Sequence, residues 1–144
     1  MNTRLIQSIS SVFLGIIAFF CILIPDLALK LFEIPNNDYV ILMMQILGGL
    51  FLGFSITNWA SRTILIGGIY GRAIYLGNMV HFLVGGLALL KWNIENNFPS
   101  TASLIFLIIY LSFALLYSLN LFFNPKILWK DKQHFGVLAI KLKS

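Results

Sequence analysis

Four long apolar runs, each closed by polar or charged residues, constrain this chain more than any other feature of its sequence. They cover residues 5–24, 39–59, 72–90 and 101–123. A helix that crosses the hydrocarbon core of a membrane needs about 20 mainly apolar residues. Lipid offers no hydrogen-bond partners to an irregular backbone, and these runs are too long and continuous for barrel strands. The sequence therefore predicts an all-α integral membrane protein with four transmembrane helices.

The composition excludes several classes of soluble protein. Of the 144 residues, 59% are hydrophobic and 10% are charged, whereas roughly 25% are charged in an average soluble domain. The net charge of +5 would suit nucleic acid, but the charges lie between the apolar runs and form no basic patch. We therefore expect the lipid bilayer, and no nucleic acid, as a partner. The single cysteine, Cys21, excludes an intrachain disulfide and a cysteine metal cluster.

Short connections between the runs predict an up-down-up-down four-helix bundle over residues 1–123. Pro25 ends the first span, because a proline disfavours helical geometry in the residue before it. We predict a tight or re-entrant connection at 63–71 and a polar loop at 93–99. The remaining residues, 124–144, alternate lysines with apolar side chains, which is typical of a basic amphipathic tail on the membrane surface.

The distribution of charge predicts the orientation. In an alternating bundle, eight of the ten cations lie at one end, namely Arg4, Arg62, Arg72 and the five lysines of the tail. The other end has Lys30 and Lys91 together with four of the five acidic residues. Because short cytoplasmic segments are enriched in Lys and Arg, both termini and the middle connection are predicted to lie in the cytoplasm.

One ionisable side chain lies near the middle of a span. His81 follows Arg72 by nine residues and precedes Lys91 by ten. An ionisable group at this depth is costly and is a functional-site hypothesis by default. The alternative is a neutral histidine that bonds to a neighbouring helix, for example to Gln45. Haem ligation is disfavoured, because the second histidine, His134, lies in the tail.

Amide side chains are the other polar candidates in the spans. Such groups most often form hydrogen bonds between helices, worth about 0.6–2 kcal/mol each. The functional alternative is a cavity between the second and third spans, with two arginines at its cytoplasmic mouth that attract an anionic headgroup or ligand. The predicted ligand-binding residues are Gln45, Asn58, Asn78, His81, Arg62 and Arg72.

Gly49 and Gly53 form a GxxxG motif in the second span. Small residues at this spacing allow another helix to approach closely. We expect that helix to belong to the same bundle, with a homodimer as the alternative.

The sequence contains no recognisable catalytic set. No span has Asp, Glu or Lys in its interior, and neither a Ser-His-Asp set nor an HExxH motif is present. We predict no catalytic residues, no metal site and no cofactor, and an accessory or lipophilic-ligand-binding component rather than a self-contained enzyme. Two alternatives stay open: a membrane redox subunit or enzyme that acts on a quinone or lipid, and a structural or assembly partner of a larger membrane complex.

Several short motifs resemble a known family. They are Pro25-Asp26 with Leu31-Phe32 after it, Gly48-Gly49, Leu52-Gly53, Asn58-Trp59 and Gly71-Arg72. In these motifs, over most of residues 5–123, the chain is similar to the DoxX-like group of small bacterial four-helix membrane proteins. The resemblance implies a four-helix bundle in the bacterial inner membrane. It also implies a link to membrane subunits of sulfur-compound oxidation and quinone reduction, although Cys21 has no second cysteine with which to form a redox pair.

A membrane-impermeant thiol reagent tests the predicted orientation. In a Cys21→Ala background, Ser144→Cys should stay unlabelled in intact cells and react after permeabilisation, because the tail is cytoplasmic. Asn96→Cys, in the predicted outer loop, should react in intact cells. Labelling of the tail from outside would contradict the orientation.

Overall fold

The computed structural model of the chain describes residues 3–64, 69–98 and 100–122. Within these ranges it has five helices: α1 (Thr3–Leu23), α2 (Pro25–Leu31), α3 (Asp38–Ser61), α4 (Ile69–Glu95) and α5 (Thr101–Phe122). The predicted tail, 124–144, and most of the predicted connection at 63–71 lie outside the described residues.

Four of the helices found in the described part, α1, α3, α4 and α5, are long and apolar enough to cross a membrane. Their most apolar windows have a mean hydropathy between 1.7 and 2.3, and at 1.5 Å per residue a helix of 20 residues reaches about 30 Å, the thickness of the hydrocarbon core. The predicted all-α fold with four candidate spans is confirmed.

The short helix α2 follows α1 after a single residue. Pro25 occupies its first turn, where the missing backbone N–H of proline removes no helical hydrogen bond. Helix α3 begins at a polar cap, since the side chain of Asn37 accepts a hydrogen bond from the backbone N–H of Val40 at 3.0 Å. Such a cap satisfies one of the free N–H groups at a helix start.

Helix α4 is longer than the predicted span 72–90, and part of the predicted loop at 93–99 is helical. The reason lies at Asn93, which is fully buried. Its Nδ2 donates to the carbonyl of Leu89 at 2.8 Å, and its Oδ1 accepts from the hydroxyl of Ser103 at 2.6 Å. A polar residue that composition assigns to a loop is thus held inside the bundle by its contact with α5.

Contacts near the helix ends define an antiparallel arrangement. Gln7, early in α1, bonds to Ser61 at the end of α3, and Asn93, late in α4, bonds to Ser103 at the start of α5. Most of the packing is between α1 and α3 and between α4 and α5, whereas α3 and α4 touch little along their lengths. The four long helices therefore run up, down, up and down.

Aromatic rings fill the centre of the bundle. Phe82 of α4 is fully buried. Its ring centroid lies 4.8 Å from that of Phe113 and 5.3 Å from that of Tyr110, both on α5. Ring pairs at such distances add about 0.5–1.5 kcal/mol to the effect of burial.

The outer surface is apolar on every long helix. Large hydrophobic side chains such as Val12, Met43, Val84 and Leu115 are more than half exposed. Continuous apolar surface of this kind marks contact with a membrane or a partner, and on helices of spanning length it suits contact with a lipid bilayer.

Helix α1 approaches α3 closely at Gly48. A Cβ atom there would lie 2.7 Å from Cγ1 of Ile22, 2.9 Å from Cβ of Cys21 and 3.3 Å from the carbonyl oxygen of Ala18. At Gly49 and Gly53, by contrast, no described atom lies within 4 Å of a Cβ. The prediction that this GxxxG pair packs within the bundle is wrong: the pair faces outward, and its neighbour Gly48 makes the close contact.

Two neighbouring substitutions test this packing. Gly48→Ala should destabilise the protein by about 1–3 kcal/mol, because the added methyl overpacks the contact with α1. Gly49→Ala is the matched control and should be neutral or slightly stabilising, since alanine favours helix over glycine. Thermal unfolding of the detergent-solubilised variants measures both, and equal effects would contradict the close approach.

Candidate functional site

A groove of about 510 Å³ lies between α3 and α4 and opens on the outer surface of the bundle. Its lining is mostly apolar and includes two polar residues, Thr57 and Asn78. The lining residues are Gly49, Leu50, Gly53, Phe54 and Thr57 of α3, and Ala73, Ile74, Gly77 and Asn78 of α4.

Missing side chains form this groove. A Cβ atom built at Gly49, Gly53 or Gly77 would meet no described atom within 4 Å. The three glycines therefore leave free space between two helices whose backbones approach each other at few points. In a helix that faces lipid, such space is open to membrane-soluble molecules.

A reciprocal amide pair joins α3 and α4 beside the groove. Nδ2 of Asn58 donates to Oδ1 of Asn78 at 2.7 Å, and Nδ2 of Asn78 donates to Oδ1 of Asn58 at 2.6 Å. Both side chains are at most 1% exposed. Each amide satisfies the other in a place where water cannot, so the pair fixes the distance between the two helices.

The same network reaches the other two long helices. Nδ2 of Asn58 also lies 3.3 Å from the hydroxyl of Ser10 on α1, and that hydroxyl lies 2.6 Å from the hydroxyl of Tyr117 on α5. One turn earlier on α1, Nε2 of Gln7 donates to the hydroxyl of Ser61 at 3.1 Å. All five side chains are at most 2% exposed, so a buried polar cluster joins α1, α3, α4 and α5.

Sequence reasoning did not place Gln7, Ser10 and Tyr117 in the site. For the α1 residues, the sequence feature that indicates their role is the spacing of Gln7, Ser10 and Ser11, which puts polar groups on one face of an otherwise apolar helix. All three of these α1 residues are buried, so this face packs against other helices.

His81 lies in a cage of aromatic rings. Its imidazole stacks on Phe54 with a centroid distance of 4.6 Å and has Phe51, Phe82 and Tyr110 at 5.0–5.8 Å. Its Nε2 is buried and has no hydrogen-bond partner in the described part of the chain. Because Phe54 also lines the groove, this ring connects His81 to the groove.

Gln45 does not join the site. Its side chain is exposed, and its Nε2 lies 3.5 Å from the carbonyl oxygen of Ile22. The hydrogen bond between Gln45 and His81 that the sequence suggested is not formed, because Gln45 turns towards α1.

The two arginines lie at the end of the groove formed by Thr57 and Ala73. The Arg62 guanidinium lies over the indole of Trp59, with its Cζ 3.9 Å from the ring centroid, and it donates to the backbone carbonyl of the same residue. Arg72 is exposed and directly precedes Ala73. Of the six predicted residues, Asn58 and Asn78 are therefore bonded to each other. His81 lies beside the groove and the two arginines lie at its end. Gln45 lies apart from the other five.

Neither a metal-binding cluster among the described residues nor a similar protein of known function indicates what the groove binds. Across the described residues, no group of three or more His, Cys, Asp or Glu side chains could hold a metal ion. Comparison of the chain with protein-family models, with curated proteins and with solved structures finds no match.

A double-mutant cycle tests the amide pair. Asn58→Leu and Asn78→Leu should each destabilise the protein by about 1–3 kcal/mol, because each leaves a buried amide without its partner. The double variant should lose less than the sum, by an amount on the order of 0.6–1.7 kcal/mol. Equilibrium unfolding in mixed micelles gives these values.

Asn120→Leu is the control for the cycle. Asn120 is equally buried, but its Nδ2 bonds to the carbonyl of Leu116 on its own helix. Its effect should add to that of Asn78→Leu within about 0.5 kcal/mol. Additivity of Asn58→Leu and Asn78→Leu as well would mean that the pair does not couple the helices.

Proposed function

We propose that this protein binds a lipophilic ligand in the groove between α3 and α4, as an accessory or binding component of the membrane. The observation that supports the proposal is the groove itself. Its volume of about 510 Å³ lies within the range of about 300–1,000 Å³ that is usual for small-molecule sites. Its lining is mostly apolar, with the exposed hydroxyl of Thr57 as a polar group, because the amide of the lining residue Asn78 is buried and paired with Asn58. A mostly apolar groove with such a polar group suits an amphiphilic molecule from the bilayer.

The rigid frame around the groove favours a binding role. A site with fixed walls loses little conformational entropy when a ligand enters. The buried network through Asn58, Asn78, Ser10 and Tyr117 fixes the helices on both sides of the groove. The ligand then needs only to displace lipid from a preformed space.

We also propose the plasma membrane of a bacterium as the location, with both termini in the cytoplasm, and membership of the DoxX-like group. The orientation is supported by Arg4, Arg62 and Arg72, which share one end of the antiparallel bundle. Asp26, Glu33, Asp38 and Glu95 lie at the opposite end. The group is supported by the sequence motifs that resemble it.

A redox subunit that acts on a quinone is the second candidate. The observation that favours it is His81, since its buried Nε2 has no partner within the described residues and its ring stacks on Phe54 at the wall of the groove. A structural partner role draws support from the outward-facing Gly49 and Gly53, which offer a second helix a close contact.

Filling the groove tests the ligand-binding proposal. Gly77→Leu places a bulky side chain where no described atom lies within 4 Å, so the fold should tolerate it while the ligand loses its space. Mass spectrometry of lipid extracts should show about tenfold less bound ligand per protein, equivalent to about 1.4 kcal/mol of binding free energy.

Ala88→Leu is the matched control. Ala88 is an exposed residue of the same helix outside the groove, and its replacement should leave the bound ligand unchanged. Equal retention in Gly77→Leu and Ala88→Leu would overturn the proposal. A quinone in the extract that His81→Ala removes would favour the redox candidate.

A further inference from the structure

One end of the bundle carries only positive charge in the part that the structure describes. The contacts between Gln7 and Ser61 and between Asn58 and Asn78 bring together the start of α1, the end of α3 and the first half of α4. The charged side chains there are Arg4, Arg62 and Arg72, and all the described acidic residues belong to the opposite half of the bundle.

These arginines are not neutralised by acidic groups in the described part of the chain. The ion pair found there joins Lys91 to Glu95, at the opposite end. Arg62 is oriented by the ring and the carbonyl of Trp59, which leaves most of its five N–H donors available. The first turn of α4 includes Arg72 and has no acidic side chain.

The groove begins at this positive end and continues into the apolar part of the bundle. On α3 its lining runs from Thr57 back to Gly49, a stretch of helix roughly 12 Å long. On α4 the lining runs from Ala73, next to Arg72, to Asn78, and on α3 it is glycine, leucine and phenylalanine beyond Thr57. A molecule that matches this surface has an anionic head at the arginines and an unbranched apolar chain along the glycines.

We propose that the groove binds an anionic phospholipid, with the lipid phosphate held by Arg62 and Arg72 and one acyl chain lying against Gly53 and Gly77. This inference rests on the proposed ligand groove and specifies its ligand. Trp59 lies at the depth of the lipid headgroups, since indole rings favour the membrane interface. Its contacts with Arg62 keep the guanidinium at the same depth. Arginine suits the task because its planar donors bind two phosphate oxygens at once.

Native mass spectrometry of the purified full-length protein tests the inference. The probes are a phosphatidylglycerol and a phosphatidylcholine with the same acyl chains, so that only the headgroup differs. The unmodified protein should bind phosphatidylglycerol more tightly, and the preference should weaken as salt screens the charges. Arg62→Gln and Arg72→Gln should each reduce the preference by about fivefold, the usual effect of one cation near a lipid surface.

Matched variants separate this inference from the proposed function. Lys91→Gln removes an exposed cation at the other end and should keep the preference. Gly77→Leu should weaken the binding of both lipids. If Gly77→Leu weakens both lipids but the unmodified protein prefers neither, the ligand groove stands and the anionic headgroup site is overturned.

Two other outcomes are equally decisive. If the arginine variants lose the preference while Gly77→Leu binds both lipids normally, lipid binds at the arginines alone, and both the groove proposal and this inference fail. A dimer mass that excludes lipid, and that Gly53→Leu converts to a monomer with lipid bound, would assign the groove to a second copy of the chain. Binding of lipid to the monomer in a one-to-one ratio supports the inference.

Discussion

The reciprocal hydrogen bonds between Asn58 and Asn78 determine how the two halves of this bundle meet. Apolar packing alone does not drive helices together in lipid, because lipid tails are as apolar as leucine. The structure joins α1 to α3 and α4 to α5 as closely packed pairs, and connects the pairs through buried amides and hydroxyls and through ring contacts such as those of Phe13 with α5. Removing one partner would leave a polar group in an apolar medium.

The groove follows from this arrangement. The polar cluster and the stacking of Phe54 on His81 hold α3 and α4 together, and because Gly49, Gly53 and Gly77 add no side chains, a groove stays open between the two helices. A glycine thus has opposite roles at adjacent positions of α3. Gly48 admits α1 to close contact, whereas Gly49 leaves a surface open to the membrane.

His81 illustrates why a polar residue inside a span needs the structure for its interpretation. The sequence places it at the middle of an apolar run, and either a hydrogen bond or a ligand would explain it there. In the structure four aromatic rings contact it, and one of them, Phe54, also lines the groove. Its environment is therefore set by side chains from α3, α4 and α5, which no local pattern brings together.

The sequence by itself determined the class of the protein, the number of candidate spans and the ends of most helices. These properties depend on local chemistry: the length of an apolar run, the absence of charge within it and residues such as Pro25 that stop a helix. It also placed Asn58 and Asn78 among the residues that could line a cavity between the second and third spans. Only the tertiary structure decided that Gln45 turns away, that Asn93 is buried and that Gly48 rather than Gly49 contacts α1. Which side chains face the neighbouring helices depends on the rotation of each helix about its axis. Every span here is apolar around most of its circumference, so the pattern of residues alone leaves that rotation open.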